Sequence, residues 1–349
     1  MRHKSALALI AVIAVLVAFL YPGAAAEASL ASLGYTLLGR LDRADVVHHD
    51  IRAEVDPERM TARFWDDVTL VSGGSDTLYV LLGADARLQR VSDAEGRDVS
   101  FSPTMNWISL PFAIYEIPTP GVRRGERFRL RFEWSISPET VKRLSPFVAL
   151  RFFYAGYDML WYPNMPGEEF FEAEIRVTVP QGYAAIADGE LAGVEPVRTV
   201  AATGREDPSA SVYHYRTPAP VMGLGLGVGR FRALEPVELV LDDGARVEIQ
   251  PWQPVGWISS VQSAASYAAS AVRYLSRHLG TLPVNRFFVA HVPFPVGASN
   301  ASLYGHVYGG DLSDLGPGAP QRDNDGLSDD HALALVAAHE AAHKWLGGV

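Results

Sequence analysis

From His48 to about Phe231 the chain alternates apolar and polar positions in short runs. His49-Asp50-Ile51-Arg52-Ala53-Glu54-Val55 alternates, Asp56-Pro57-Glu58 reads as a turn, and Thr61 to Leu70 alternates again through Ala62, Phe64, Val68 and Leu70. Leu78 to Leu82 is a short apolar run. Gly125 to Trp134 has the clearest period of two, with Phe128, Leu130, Phe132 and Trp134 on one face, and Phe170 to Val179 repeats the pattern before Pro180-Gln181-Gly182. Successive side chains of a strand point to opposite faces, so short period-two runs between Gly, Pro and Asp signals predict an all-β region. Gly223 to Gly229 places Gly at every second position. That spacing is not G-x-G-x-x-G, and it predicts a tightly packed or curved strand, not a phosphate loop.

The texture changes after about Glu235. Trp257 to Leu279 is rich in Ala and Ser, with Ile258, Val261, Ala265, Ala268, Val272 and Leu275 at helical spacing; Gly280 and Pro283 stop it. Trp257, Tyr267 and Tyr274 on this helix read as core. Phe287 to Val292 reads as a buried strand, Gly297 to Gly310 as glycine-rich, and Asp311 to Asp330 as a polar loop. A last helix starts at Asp329 or Asp330, runs from Ala332 to Leu346 and meets Gly347-Gly348. The organisation predicted is an N-terminal β domain over 45–235 and a mixed helix–strand region over 236–349.

Composition fits a folded globular chain: 349 residues, 48% hydrophobic and 20% charged, enough for about two domains. The net charge of −10 argues against a broad nucleic-acid surface, so no nucleic-acid partner is expected. With no Cys, disulfides, iron–sulfur clusters and thiolate metal sites are excluded. Any metal must be held by His, carboxylate or backbone oxygen. At the N-terminus, Met-Arg-His-Lys precedes an uncharged apolar run from Ala6 to Leu20 and then Ala24-Ala25-Ala26. This is the pattern of a secretory signal over 1–26, shorter than the ~20 residues of a bilayer span, with an uncleaved anchor as the alternative. The expected location is outside the cytoplasmic membrane, with any membrane contact through that anchor.

His339-Glu340-Ala341-Ala342-His343 lies inside the last predicted helix. Residues at i and i+4 share a helix face, so both imidazoles can reach one Zn2+ ion. Glu340 can then act as general base toward zinc-activated water, which attacks a carbonyl. A catalytic zinc takes three protein ligands, and none of the residues from Lys344 to Val349 is a good one.

His339-Glu340-Ala341-Ala342-His343-Lys344-Trp345-Leu346-Gly347 resembles the H-E-L-A-H-Q-W-F-G stretch of the aminopeptidase N family of gluzincin zinc metallopeptidases, which also contains leukotriene hydrolase. Further similarity runs through Tyr274 to Gly280 with Leu282-Pro283, through Trp161-Tyr162-Pro163 and Phe170 to Pro180, and through the His49 to Leu70 hairpin. The resemblance implies a saddle- or sandwich-like β domain followed by the start of a thermolysin-like α/β catalytic domain. It implies His339 and His343 as zinc ligands, Glu340 as general base, and a peptide or protein as substrate. The family's third ligand, a Glu on the next helix, would fall beyond Val349, so the sequence reads as C-terminally truncated and inactive alone. Where the family has G-x-M-E-N, whose Glu binds the substrate's amine, this chain has Gly297-Ala298-Ser299-Asn300-Ala301 as its substrate-binding segment. Asn300 supplies no negative charge to an ammonium, which leaves aminopeptidase and endopeptidase specificity open. The rival reading is a non-catalytic exported binding or assembly protein of the same fold.

Weaker signals stay structural. Asp323-Asn324-Asp325-Gly326 lacks the flanking helix and terminal Glu of a calcium loop, and reads as a solvated loop. His48, His49, His291 and His306 have no ligand spacing.

Overall fold

The computed structural model describes residues 44–104, 112–138, 147–148, 151–156, 159–165, 170–200, 206–256, 260–292, 299–301, 305–309 and 329–345. The export-signal expectation over 1–26, Gly297, Ala298 and the acidic loop around Asp323 lie outside them. The described chain is mostly β, with two α-helices. No described helix is long and apolar enough to cross a membrane. The chain divides into two compact units. The first holds Met1–Ile51, Arg63–Ser145 and Tyr157–Phe171; the second holds Arg52–Ala62, Pro146–Gly156 and Glu172–Val349.

The first unit is built from β1 (Asp45–Asp56) and β2 (Thr61–Val71), which contribute their outer parts, with β3 (Thr77–Gly83), β4 (Arg87–Asp93), β5 (Ser102–Thr104), β6 (Phe112–Pro118) and β7 (Arg127–Ile136). One sheet has the order β1-β2-β7-β4, and another β3-β6-β5. The alternation in β7 buries Leu130, Phe132, Trp134 and Ile136, while Phe128 near the strand's start is half-buried. The core is aromatic. Phe64 stacks on Trp134 at 5.1 Å, and the Trp134 indole N–H donates to the Trp161 carbonyl at 3.0 Å. His49 Nδ1 lies 2.6 Å from Asp66 Oδ2 in this core, with Tyr162 and Phe171 edge-on to the imidazole. Burial pushes the Asp66 carboxyl up, against the opposing pull of His49. His49 is therefore a structural histidine.

The second unit holds β8 (Phe147–Val148), β9 (Phe152–Ala155), β10 (Glu172–Pro180), β11 (Ala184–Ala187), β12 (Glu190–Val200), β13 (Glu206–Arg216), β14 (Leu226–Gly229), β15 (Phe231–Ala233), β16 (Val237–Val240), β17 (Arg246–Pro254), β18 (Arg286–Val292), β19 (Ser299–Ala301) and β20 (Gly305–Gly309). Its helices are α1 (Val261–Leu279) and α2 (Asp329–Ala342). Strands β12-β13-β10 pair antiparallel, as do β11-β14-β9-β8. The Gly-rich run is strand only at Leu226–Gly229. A Cβ on Gly229 would stand 2.1 Å from the Phe152 ring, so the tight packing expected of this run is real there. The Glu58 carboxylate at the β1–β2 turn accepts from Tyr183 Oη, Arg230 and Arg151 at 3.1, 3.2 and 3.3 Å.

The last sheet is mixed. Its order is β15-β17-β18-β20-β19, with β16 also on β17; β17-β18-β20 run parallel and β19 is an antiparallel edge. Parallel neighbours need a crossover, and α1 supplies it between β17 and β18. Its buried face is Val261, Ala264, Ala265, Ala268, Ala269 and Val272, small residues that let it pack closely against the sheet and α2. Gly280 ends α1, its N–H bonding Ser276 O. Tyr274 corrects its own reading as core, and Trp257 lies outside the described residues. Tyr274 is 62% exposed and leans on His278 at 4.6 Å, because it sits opposite the alanine face. Tyr267 is half-buried.

Candidate functional site

Helix α2 carries the site because its inner face is apolar and small. Ala337 and Ala341 are buried, and the helix packs on α1 and against β19. The regular helix stops at Ala342, earlier than the expected Leu346. Lys344 N–H bonds Ala341 O at 3.1 Å and Trp345 N–H bonds Ala342 O at 3.0 Å, so the last turn tightens to i→i+3 geometry. The Trp345 indole N–H donates to Gly280 O at 3.2 Å, tying this turn to the end of α1.

The two histidines of the motif converge. His339 Nε2 and His343 Nε2 are 3.3 Å apart, with the rings nearly perpendicular at 87°. His339 is exposed and His343 half-buried. The chord between two nitrogens bound at about 2.0–2.1 Å in a tetrahedron is roughly 3.3–3.4 Å, so the pair fits one tetrahedral ion. Among the described residues, no group of three His, Asp or Glu could hold a metal.

Glu340 points inward and is 3% exposed. Beside it lies a feature the motif did not announce. Lys344 is 0% exposed, with its Nζ 5.0 Å over the Phe287 ring of β18. Burial pulls the Lys344 ammonium down to about 7, and the Asp188 and Glu340 carboxylates oppose that pull. Asp188, at the end of β11, is 2% exposed and takes the Gly225 N–H on Oδ2 at 2.5 Å. A Lys directly after His343, and an acid closing the apolar run Ala184-Ala185-Ile186-Ala187, were the signals available for these two buried charges.

Of the expected substrate segment, Gly297 and Ala298 lie outside the described residues. Ser299 and Asn300 lie on edge strand β19, where Asn300 pairs with Val307 of β20, and β19 touches α2. The edge therefore runs beside the helix that bears His339 and leads into His343. His306 sits at the β20 register opposite Ala301 and Val289, and His291 is buried in β18.

No family model matches the sequence, and no curated protein does. Solved structures match in fold. An M1 zinc metallopeptidase from Deinococcus radiodurans superposes with a TM-score of 0.62 at 21% identity, over 87% of this chain and 64% of that one. A mutant form from the same organism, bound to a Tyr-Ser-Ala substrate, gives 0.60 at 20% identity, over 87% and 65%. A two-domain M1 mutant bound to L-arginine gives 0.61 at 20% identity, over 87% and 65%. The chain spans about 64–65% of the length of these structures. At this identity the likeness is one of fold, and the fold it shares is that of M1 zinc metallopeptidases of the aminopeptidase N type.

Proposed function

We propose that this chain carries the N-terminal β domain and the first part of the catalytic domain of an exported, aminopeptidase N-like zinc metallopeptidase. His339 and His343 hold the metal, and a third protein donor outside the described residues completes the set. The observation that carries this reading is the 3.3 Å separation of the two Nε2 atoms at the C-terminal end of α2. Zinc, when bound, supplies Lewis acidity to a peptide carbonyl and to water. The chain's own contribution is Glu340. Its inward position next to His339 in sequence suits a general base that takes a proton from the attacking water, a role worth about 10²–10⁴ in rate. Among the described residues β19 pairs with β20 alone, and an extended peptide adding to its other side would lay a substrate backbone alongside α2.

The test is Glu340→Ala in the full-length protein. Zinc content should stay at the parent's level while peptide hydrolysis falls by at least about 10²-fold. A variant as active as its parent would refute the mechanism.

A further inference from the structure

One enclosed pair of ionisable side chains in the first unit takes no part in the chemistry just described. His49 of β1 and Asp66 of β2 are 1% and 0% exposed, and His49 Nδ1 stands 2.6 Å from Asp66 Oδ2. The other carboxyl oxygen, Asp66 Oδ1, is buried without a hydrogen-bond partner among the described residues. Tyr162 and Phe171 stand T-shaped to the imidazole, with ring centroids 5.2 and 4.7 Å away. The buried positions of β7, the next strand of the sheet, are all apolar: Leu130, Phe132, Trp134 and Ile136. Charged groups occupy the alternate, more exposed positions of the same strands. They are Asp50 on β1, Asp67 on β2, and Arg131 and Glu133 on β7. Arg131 is held by Asp67 at 2.6 and 2.8 Å, and Glu133 by Arg90 at 3.1 Å. A carboxylate with one oxygen unanswered, among aromatic rings and beside two further acids, is costly to hold as a net charge. Burial is foremost in raising the Asp66 carboxyl; His49 opposes it, and the charges of Asp67 and Asp50 add to the rise.

We propose that His49 and Asp66 are a proton latch: the pair keeps one proton between its two side chains, and the first unit loosens when pH forces that count away from one. The two groups titrate together, so the count belongs to the pair and not to either residue. In the unfolded chain, Asp and His release their protons near about 3.9 and 6.5. Between those values the folded and unfolded chains carry the same single proton here, and the pair adds no pH dependence. Above about 6.5 the unfolded chain carries none and the folded pair one, so stability falls as pH rises. Below about 3.9 the unfolded chain carries two and the folded pair one, so stability falls as pH drops. The latch holds the first unit firm in mild acid and eases it in mild alkali.

The experiment follows hydrogen exchange at the β2 and β7 amides of the full chain at pH 5, 6, 7 and 8, corrected for intrinsic exchange rates. The parent is compared with the double variant His49→Gln with Asp66→Asn, which keeps polar side chains at both sites and removes the titration. Charges elsewhere are common to both proteins and cancel in the ratio of their opening constants. From pH 6 to pH 8 the parent's opening constant should rise by roughly 25-fold relative to the variant's, because only the unfolded pair gives up its proton there. From pH 5 to pH 6 the ratio should stay within about twofold. A relative rise of less than about fivefold from pH 6 to pH 8, or a ratio that falls as pH rises, overturns the proposal. If the variant does not fold, the carboxyl carbon of Asp66 in the 13C-labelled parent gives the answer alone. Its chemical shift should hold steady from pH 5 to pH 8, and a titration step inside that range overturns the latch.

Discussion

Tyr215 of β13 tests the electrostatics of the second unit. Its hydroxyl is buried and donates to the Ala185 carbonyl of β11 at 2.8 Å, the strand whose end delivers Asp188. Burial pushes the phenol well above its ordinary value near 10. The folded state therefore holds this proton more tightly than the unfolded chain does. Its stabilising effect is complete below about pH 10 and is lost as pH rises beyond that, because only the unfolded chain can ionise there. At one unit above the ordinary value the unfolded state gains roughly 1.4 kcal/mol from this single group. Tyr215→Phe removes both the hydrogen bond and the titration. At pH 8 the variant should be less stable by about 1 kcal/mol, the net value of one buried hydrogen bond. At pH 11 the parent has lost roughly 1.4 kcal/mol that the variant has not, so the two should become equal or cross. Urea unfolding of both proteins at pH 8, 10 and 11 measures this. Burial also raises Tyr115, Tyr183 and Tyr213, but these are present in both proteins and cancel in the difference. A gap that stays constant from pH 8 to pH 11 would refute the argument.

Other outcomes follow from single features. Trp134→Phe deletes the indole N–H bonded to the Trp161 carbonyl and opens space against Phe64; it should cost about 2–4 kcal/mol in urea unfolding, and a cost under about 1 kcal/mol would show that this core closes easily. Gly189→Ala places a Cβ 2.6 Å from the Arg216 carbonyl at a backbone φ of +106°, so a loss of about 2 kcal/mol or more is expected, seen as a lower unfolding midpoint. Zinc at about 100 times its dissociation constant should stabilise the parent by roughly 2.7 kcal/mol. A chelator, or the double change His339→Ala with His343→Ala, should abolish that gain; an undiminished gain would place the metal elsewhere.

Element type in the β region was legible because period two survives wherever one face of a strand is buried, as in β7. The pairing was not legible. Strand order β2-β7-β4 sets Arg127–Ile136 between Thr61–Val71 and Arg87–Asp93, partners far apart in the chain, which no local pattern encodes. Tyr274 misled because apolar size alone does not reveal which side of a helix faces the sheet; the alanines did, and small residues were easily discounted. At the site, His339 and His343 were readable from spacing, since a helix itself brings i and i+4 together. The burial of Lys344 was not, because it comes from tertiary packing that sets its ammonium over the Phe287 ring of β18. The early end of α2 at Ala342 was hidden for a similar reason: the bond from Trp345 to Gly280 is tertiary.

The Glu58 carboxylate has a further consequence, in time. Its three partners, Arg151, Tyr183 and Arg230, follow it by 93, 125 and 172 residues. At a synthesis rate of about 5–20 residues per second, the turn at Glu58 emerges on the order of 10–30 s before Arg230 does. During vectorial synthesis the hairpin tip therefore waits, solvated, for the strands that receive it. The second unit can complete this junction only when most of the chain has left the ribosome.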